Sequence, residues 1–77
     1  MTQNEINKVL RNPMTKQLVE FVDTSRKFSK KLISPQFFHK SHSERDRQII
    51  CKLLVNFYDN KISIERVGKD SVNIDFH

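Results

Sequence analysis

The sequence predicts a small α+β domain, mainly helical, with an antiparallel β-hairpin as its last element. Three observations carry that expectation. Between Glu44 and Tyr58, Ile49, Ile50, Leu53, Leu54 and Phe57 recur at the 3–4 spacing of a helix with one apolar face. Between Met14 and Leu32, the stripe Leu18, Phe21, Val22, Phe28, Leu32 repeats the pattern, with Ser25 as its one polar member. From Lys61 to Phe76 the period becomes two on both sides of Gly68-Lys69-Asp70, which reads as a hairpin turn.

Taken in order, residues 4–11 make a short helix with Ile6, Val9 and Leu10 on one side and Asn4 as its cap. Pro13 stops it, because a proline pushes the preceding residue out of the α region. The same proline suits the first turn of the next helix, where a missing N–H costs nothing. That helix is expected over 14–32. Its last turns carry Arg26, Lys27, Lys30 and Lys31, which complement the helix dipole. Ser34-Pro35 is a capping signature and suggests one helical turn over 35–39. Adjacent residues of a helix diverge, so Phe37 is assigned to the core. Phe38 is either a core residue of an irregular segment or an exposed contact. His39–Ser43 is the polar connection to a helix over 44–59, capped by Ser43 and stopped by Asn60 in a left-handed conformation.

The hairpin 61–67/71–76 has a register that arithmetic can test. A three-residue loop pairs Val67 with Ser71, Glu65 with Asn73 and Ser63 with Asp75. It also pairs Arg66 with Val72, Ile64 with Ile74 and Ile62 with Phe76. One face is then apolar apart from Arg66, and a one-residue slip would mix the faces. Two strands alone are marginal in water, so that face must meet the helices. The expected core is Leu18, Phe21, Val22, Phe28, Leu32 and Phe37 from the first half of the chain. The second half adds Ile50, Leu53, Leu54, Phe57, Ile62, Ile64, Val72, Ile74 and Phe76.

Seventy-seven residues with a 36% hydrophobic fraction suffice for one domain with a modest core. The formal charge of +5 comes from the middle of the chain: Arg26, Lys27, Lys30, Lys31, Lys40, Arg45 and Arg47 face only Glu44 and Asp46 in that stretch. A field of that kind attracts a polyanion or an acidic protein surface. The single cysteine, Cys51, allows no internal disulfide and lies within an apolar run, as a packed residue and not a nucleophile. No basic-then-apolar leader and no apolar run near about 18 residues is visible, so a cytoplasmic protein without a membrane partner is expected. His39, His42 and His77 do not have the spacing of a structural zinc site. No phosphate-binding glycine loop, paired carboxylates or dinucleotide fingerprint appears. No metal, cofactor, small-molecule substrate or enzymatic activity is therefore expected.

Two readings of function remain. In the first, the chain binds nucleic acid, DNA foremost, as a small regulatory protein. Arg26, Lys27, Lys30, Lys31, Lys40, Arg45, Arg47, Lys52, Arg66 and Lys69 would contact phosphates, and the helix opening at Ser43 would offer its N–H groups to another. Helices followed by a basic-tipped hairpin resemble a winged helix-turn-helix domain in element order alone. In the second, the chain is a protein-interaction module or inhibitor, using Phe38, Tyr58 and Val67 as an exposed patch. A homodimer is compatible with both.

Overall fold

The apolar faces expected of the helices and the hairpin do meet in the structure, a computed structural model describing all 77 residues, Met1–His77. In chain order the elements are α1 (Gln3–Arg11), α2 (Pro13–Phe28), β1 (Lys31–Ser34), α3 (Glu44–Phe57), β2 (Ile62–Val67) and β3 (Ser71–Phe76). The three strands form one antiparallel sheet in the order β1-β3-β2. The helices cover one face of it. α3 lies against β2, α2 against β1, and α1 touches both helices.

Local chemistry sets the helix starts. Thr2 Oγ1 accepts from the Glu5 N–H at 3.2 Å, while Glu5 Oε1 accepts from the Thr2 N–H at 3.0 Å. Asn12 both ends α1 and begins α2: its N–H donates to Val9 O, and its Oδ1 accepts from the Met14 N–H at 3.0 Å. Pro13 opens α2, as expected. Ser43 and Asp46 repeat the reciprocal cap at the start of α3. That helix ends at Phe57, and Asn60 takes up the expected left-handed conformation, φ 61°.

The hairpin has the expected register at every pair from Ile62↔Phe76 to Val67↔Ser71, with Gly68 at φ 73° in its turn. The major correction lies in front of it. α2 does not run to Leu32; it stops at Phe28, Ser29 becomes extended, and Lys31–Ser34 form a strand. That strand pairs Leu32 with Ile74 and Ser34 with Val72, making β3 the central strand. The stretch Lys31-Leu32-Ile33-Ser34 fits helical spacing from Phe28 and also fits alternation. Pro35 favours an extended Ser34, and β3 offers an unpaired edge, so the ladder overrides helix propensity. The turn expected over 35–39 is likewise not helical.

These changes move the core. Phe28, assigned to it from the sequence, is 85% exposed, Phe57 is also largely in water, and Phe21 is about half exposed. α2 instead buries Thr15, Leu18 and Val22. Phe37 and Phe38 are both buried, their rings edge to face at 5.0 Å, because an irregular backbone can aim neighbouring side chains the same way. Val9, Ile49 and Tyr58 complete a cluster with Ile50, Leu54, Ile62, Val72 and Ile74, while Leu32, Leu53, Ile64 and Phe76 pack at its margin. No helix is long and apolar enough to cross a membrane.

Leu54→Ala should therefore cost about 2–5 kcal/mol, measured by thermal melting followed by circular dichroism. Phe28→Ala, at a position that reads as core in sequence but lies in water, should stay within about 0.5 kcal/mol of the parent.

Candidate nucleic-acid interface

Of the ten basic residues singled out in the sequence, three arginines are paired with acids within the fold, four cations gather at one corner and three lysines lie apart. Arg47, whose side chain is 9% exposed, forms an ion pair with Asp70 at 2.7 Å. Its guanidinium also donates to three carbonyls: His42 O at 3.0 Å, Lys69 O at 2.7 Å and His39 O at 3.3 Å. Arg66 pairs with Glu44 through both carboxylate oxygens and donates to Lys69 O at 2.8 Å. The two guanidinium groups lie over the Phe38 ring, 5.4 and 5.1 Å from its centroid. Arg45 reaches Glu5 on α1 at 2.8 Å. Its hydrogen bond, followed by that of the Thr2 N–H, brings the Glu5 carboxyl down to about 2. The hydrogen bond from Arg66 lowers Glu44 in the same way. Arg47 and Arg66 are thus structural cations, whereas the Arg45–Glu5 pair lies at the surface.

The start of α3 is occupied as well. Asp46 Oδ2 accepts from the Ser43 N–H at 3.2 Å, Ser43 Oγ accepts from the Asp46 N–H at 3.1 Å, and Glu44 adds a second carboxylate. The phosphate site expected there is taken by the chain's own acids.

The second set gathers where α2 meets β1. The end of α2 carries Arg26, Lys27 and Phe28; Lys30 and Lys31 follow, held against β3 by the Phe76 N–H, which donates to Lys30 O at 2.8 Å. β3 also delivers His77, whose N–H donates to Lys61 O at 2.8 Å and whose Nε2 lies 2.7 Å from Ser63 Oγ. A shallow cleft of about 330 Å³ is lined by Arg26, Lys27, Ser29, Lys30, Phe76 and His77, with no carboxylate side chain on its walls. Arg26 lies over the Tyr58 ring at 4.9 Å, and Tyr58 donates its hydroxyl to Asp23 at 3.3 Å. Burial, first, and the Asp23 charge raise that phenol. Two exposed ion pairs flank the corner, Lys27–Asp23 at 3.6 Å and Lys31–Asp75 at 3.9 Å. Pairs of this kind exchange readily for a phosphate.

The remaining lysines lie elsewhere. Lys69 is at the hairpin tip, a six-residue strand away from the corner, or about 20 Å. Lys52 is exposed on α3, and Lys40 lines a different cleft beside Met14 and Gln36. Lys61 and His77 were missed in the sequence, since the stretch that holds them is slightly acidic and only strand pairing brings them to the corner. Of the residues expected in a protein-binding patch, Phe38 and Tyr58 are buried, and Val67 alone is exposed. Cys51 is half-buried, and burial pushes its thiol up, away from nucleophilic use.

His42, expected in a polar connection, is buried. Its Nδ1 accepts from the His39 N–H at 3.4 Å, so Nε2 carries the proton and donates to Thr15 Oγ1 at 2.9 Å. Burial lowers its pKa against the opposing pull of Asp46. Comparison with protein-family models, curated proteins and solved structures finds no match for the chain.

Arg47→Ala should destabilise the fold by about 3–5 kcal/mol in urea unfolding, because three carbonyls and Asp70 lose their partner together. Asp70→Asn, at a more exposed position, should cost about 1 kcal/mol. Stability should also depend on pH in two windows. His42 is neutral in the fold and has a lowered pKa, so the unfolded chain binds more protons just below 6.5. The melting temperature should be level above that pH and fall as acid is added, and His42→Gln should flatten this first decline. A second decline, from Glu5, should begin near 4.5 and run toward about 2.

Proposed function

We propose that the chain binds nucleic acid at the α2–β1 corner and that binding, not catalysis, is its role. The observation that carries this reading is the cleft with three cationic side chains and no carboxylate side chain on its walls, at the end of a helix whose Phe28, next in sequence to Lys27, is exposed. Arg26, Lys27, Lys30 and Lys31 are flexible or exchangeable cations at the surface, and phosphates spaced along a strand would engage them in turn. Phe28 contributes almost nothing to the core, and an aromatic face among cations is what an unpaired base stacks on. The reading therefore favours single-stranded over duplex nucleic acid. Lys61, on the neighbouring turn, would extend the track along the base of the sheet.

Titration of labelled single-stranded DNA, single-stranded RNA and duplex DNA by fluorescence anisotropy tests this. Binding should weaken with salt, with a logarithmic slope of roughly −2 to −3 for three or four phosphate contacts. Replacing Lys27, Lys30 and Lys31 together by glutamate should lower affinity about 100-fold or more. The same charge change at Lys40, Lys52 and Lys69 should have a much smaller effect. Phe28→Ala should weaken single-strand binding about tenfold and leave duplex binding nearly unchanged. Absence of binding at low salt, or equal losses from the two triple variants, would refute the corner as the site.

A further inference from the structure

The two outer edges of the sheet are built differently. β1 bonds to β3 through alternate residues: the Phe76 N–H donates to Lys30 O at 2.8 Å, and Leu32 and Ser34 continue that pairing. The backbone groups left facing outward belong to Lys31, Ile33 and Pro35. Ser29 Oγ accepts from the Lys31 N–H at 3.2 Å and donates to Lys31 O at 2.8 Å. Pro35 has no N–H to offer. Only Ile33 keeps both groups free, so this edge is blunted.

The β2 edge has no such protection. The His77 N–H donates to Lys61 O at 2.8 Å, which places Ser63, Glu65 and Val67 in the bonds to β3. The N–H and C=O groups of Ile62, Ile64 and Arg66 therefore face away from β3, with no strand beyond them. No proline or bulge interrupts the strand. Ile62 is buried, whereas Ile64 and Arg66 are partly open to solvent. α3 packs against β2, and a hollow of about 330 Å³ has Met1, Cys51 and Val55 on its walls together with Ile64 of the strand. Lys52 is its one charged side chain.

We propose that the β2 edge takes up an extended, acidic peptide segment of a partner protein as an added strand. One apolar side chain of the segment enters the hollow and one carboxylate meets Lys52. The backbone selects the conformation of the occupant, because donors and acceptors repeated at every second residue are matched in register by an extended chain. The hollow selects the side chains. Alternate residues of an added strand point to the helix side of the sheet, so the apolar and acidic residues stand two apart. Charge selects against a second copy, which would set +5 against +5, whereas an acidic segment is drawn both to Lys52 and to the chain as a whole. This surface shares no side chain with the α2–β1 corner, and the inference does not depend on nucleic-acid binding there.

Selection of a displayed library of random linear peptides on the full chain, at about 0.15 M salt, supplies the probe. Enriched peptides should carry an apolar and an acidic residue two positions apart. Amide exchange followed by nuclear magnetic resonance then locates the synthesised peptide. In the free protein the Glu65 N–H should exchange slowly and those of Ile64 and Arg66 quickly; the peptide should slow the latter two about tenfold or more. Methylating the peptide's backbone nitrogens at alternate residues should abolish binding in one phase and spare it in the other. Ile64→Pro removes an outward N–H without touching the bonds to β3 and should weaken binding about tenfold. Lys52→Glu, at an exposed position, should weaken it by a similar factor and serves if the first variant loses its fold. Failure to enrich any peptide, bound peptides that leave the Ile64 and Arg66 amides unprotected, or equal losses from both methylation phases would overturn the proposal. Protection of those two amides by the protein alone, with a doubled mass in sedimentation, would give the edge to a second copy and overturn it too.

Discussion

The guanidinium of Arg47 is the joint on which the irregular half of this protein depends. Residues 35–43 have no regular structure, yet Phe37, Phe38 and His42 in that segment are buried. Buried carbonyls without a ladder need other donors, and Arg47 supplies His39 O, His42 O and Lys69 O from one side chain. The same group meets Asp70 in the hairpin turn and covers the Phe38 ring. Arginine suits this position better than lysine, since its planar fork can satisfy several acceptors at fixed angles while its face stacks on an aromatic. A buried ion pair is weak evidence of net stability, because desolvation offsets much of its attraction. What the pair does fix is geometry: the hairpin turn, the loop and the start of α3 have one mutual arrangement.

Other contacts hold the loop from its remaining sides. His42 ties it to Thr15 on α2, the Phe37 N–H donates to Asp70 O, and Ser71 Oγ donates to Pro35 O. The loop thus acts as a plug between the helices and the sheet, with its two phenylalanines doing work that a helix turn would otherwise do. Arg47 and Arg66 are drawn inward to acids and the Phe38 ring, whereas Arg26, Arg45 and the lysines remain on the surface. The surface field is consequently narrower than the sequence suggests, concentrated at the α2–β1 corner instead of spread along residues 26–47.

How much of this was legible in the sequence follows from the range of each interaction. The hairpin was fully legible because alternation on both sides of Gly68 leaves one register, and both partners lie within sixteen residues. The body of α3 was legible for the same reason: spacing, cap and terminator are local. β1 was not, because Leu32 continues the Phe28 spacing as well as it begins a strand, and its partner Ile74 is far away in the chain. The error carried Phe28 into the expected core. Nothing local marks Arg47 or Arg66 for burial; Asp70, Glu44 and Phe38 decide it only in three dimensions. Tyr58, expected in an exposed patch, is buried for a related reason, and Phe38 takes the first of its two expected settings, a core residue of an irregular segment. The basic corner was half legible, with Lys27, Lys30 and Lys31 adjacent in sequence and Lys61 and His77 added by the sheet.

The position of β3 at the centre of the sheet sets an order of assembly. β1 and β2 do not pair with each other; each bonds only to β3. On a ribosome, β1 emerges first and β2 some thirty residues later, and the two have nothing to join until Ser71–Phe76 follows. Every ladder bond in the sheet then becomes available within one short stretch of synthesis. Until that moment the helices have no sheet to cover, and their apolar faces must wait together. A single strand thus closes both halves of the ladder, and neither half of the sheet can pair without it.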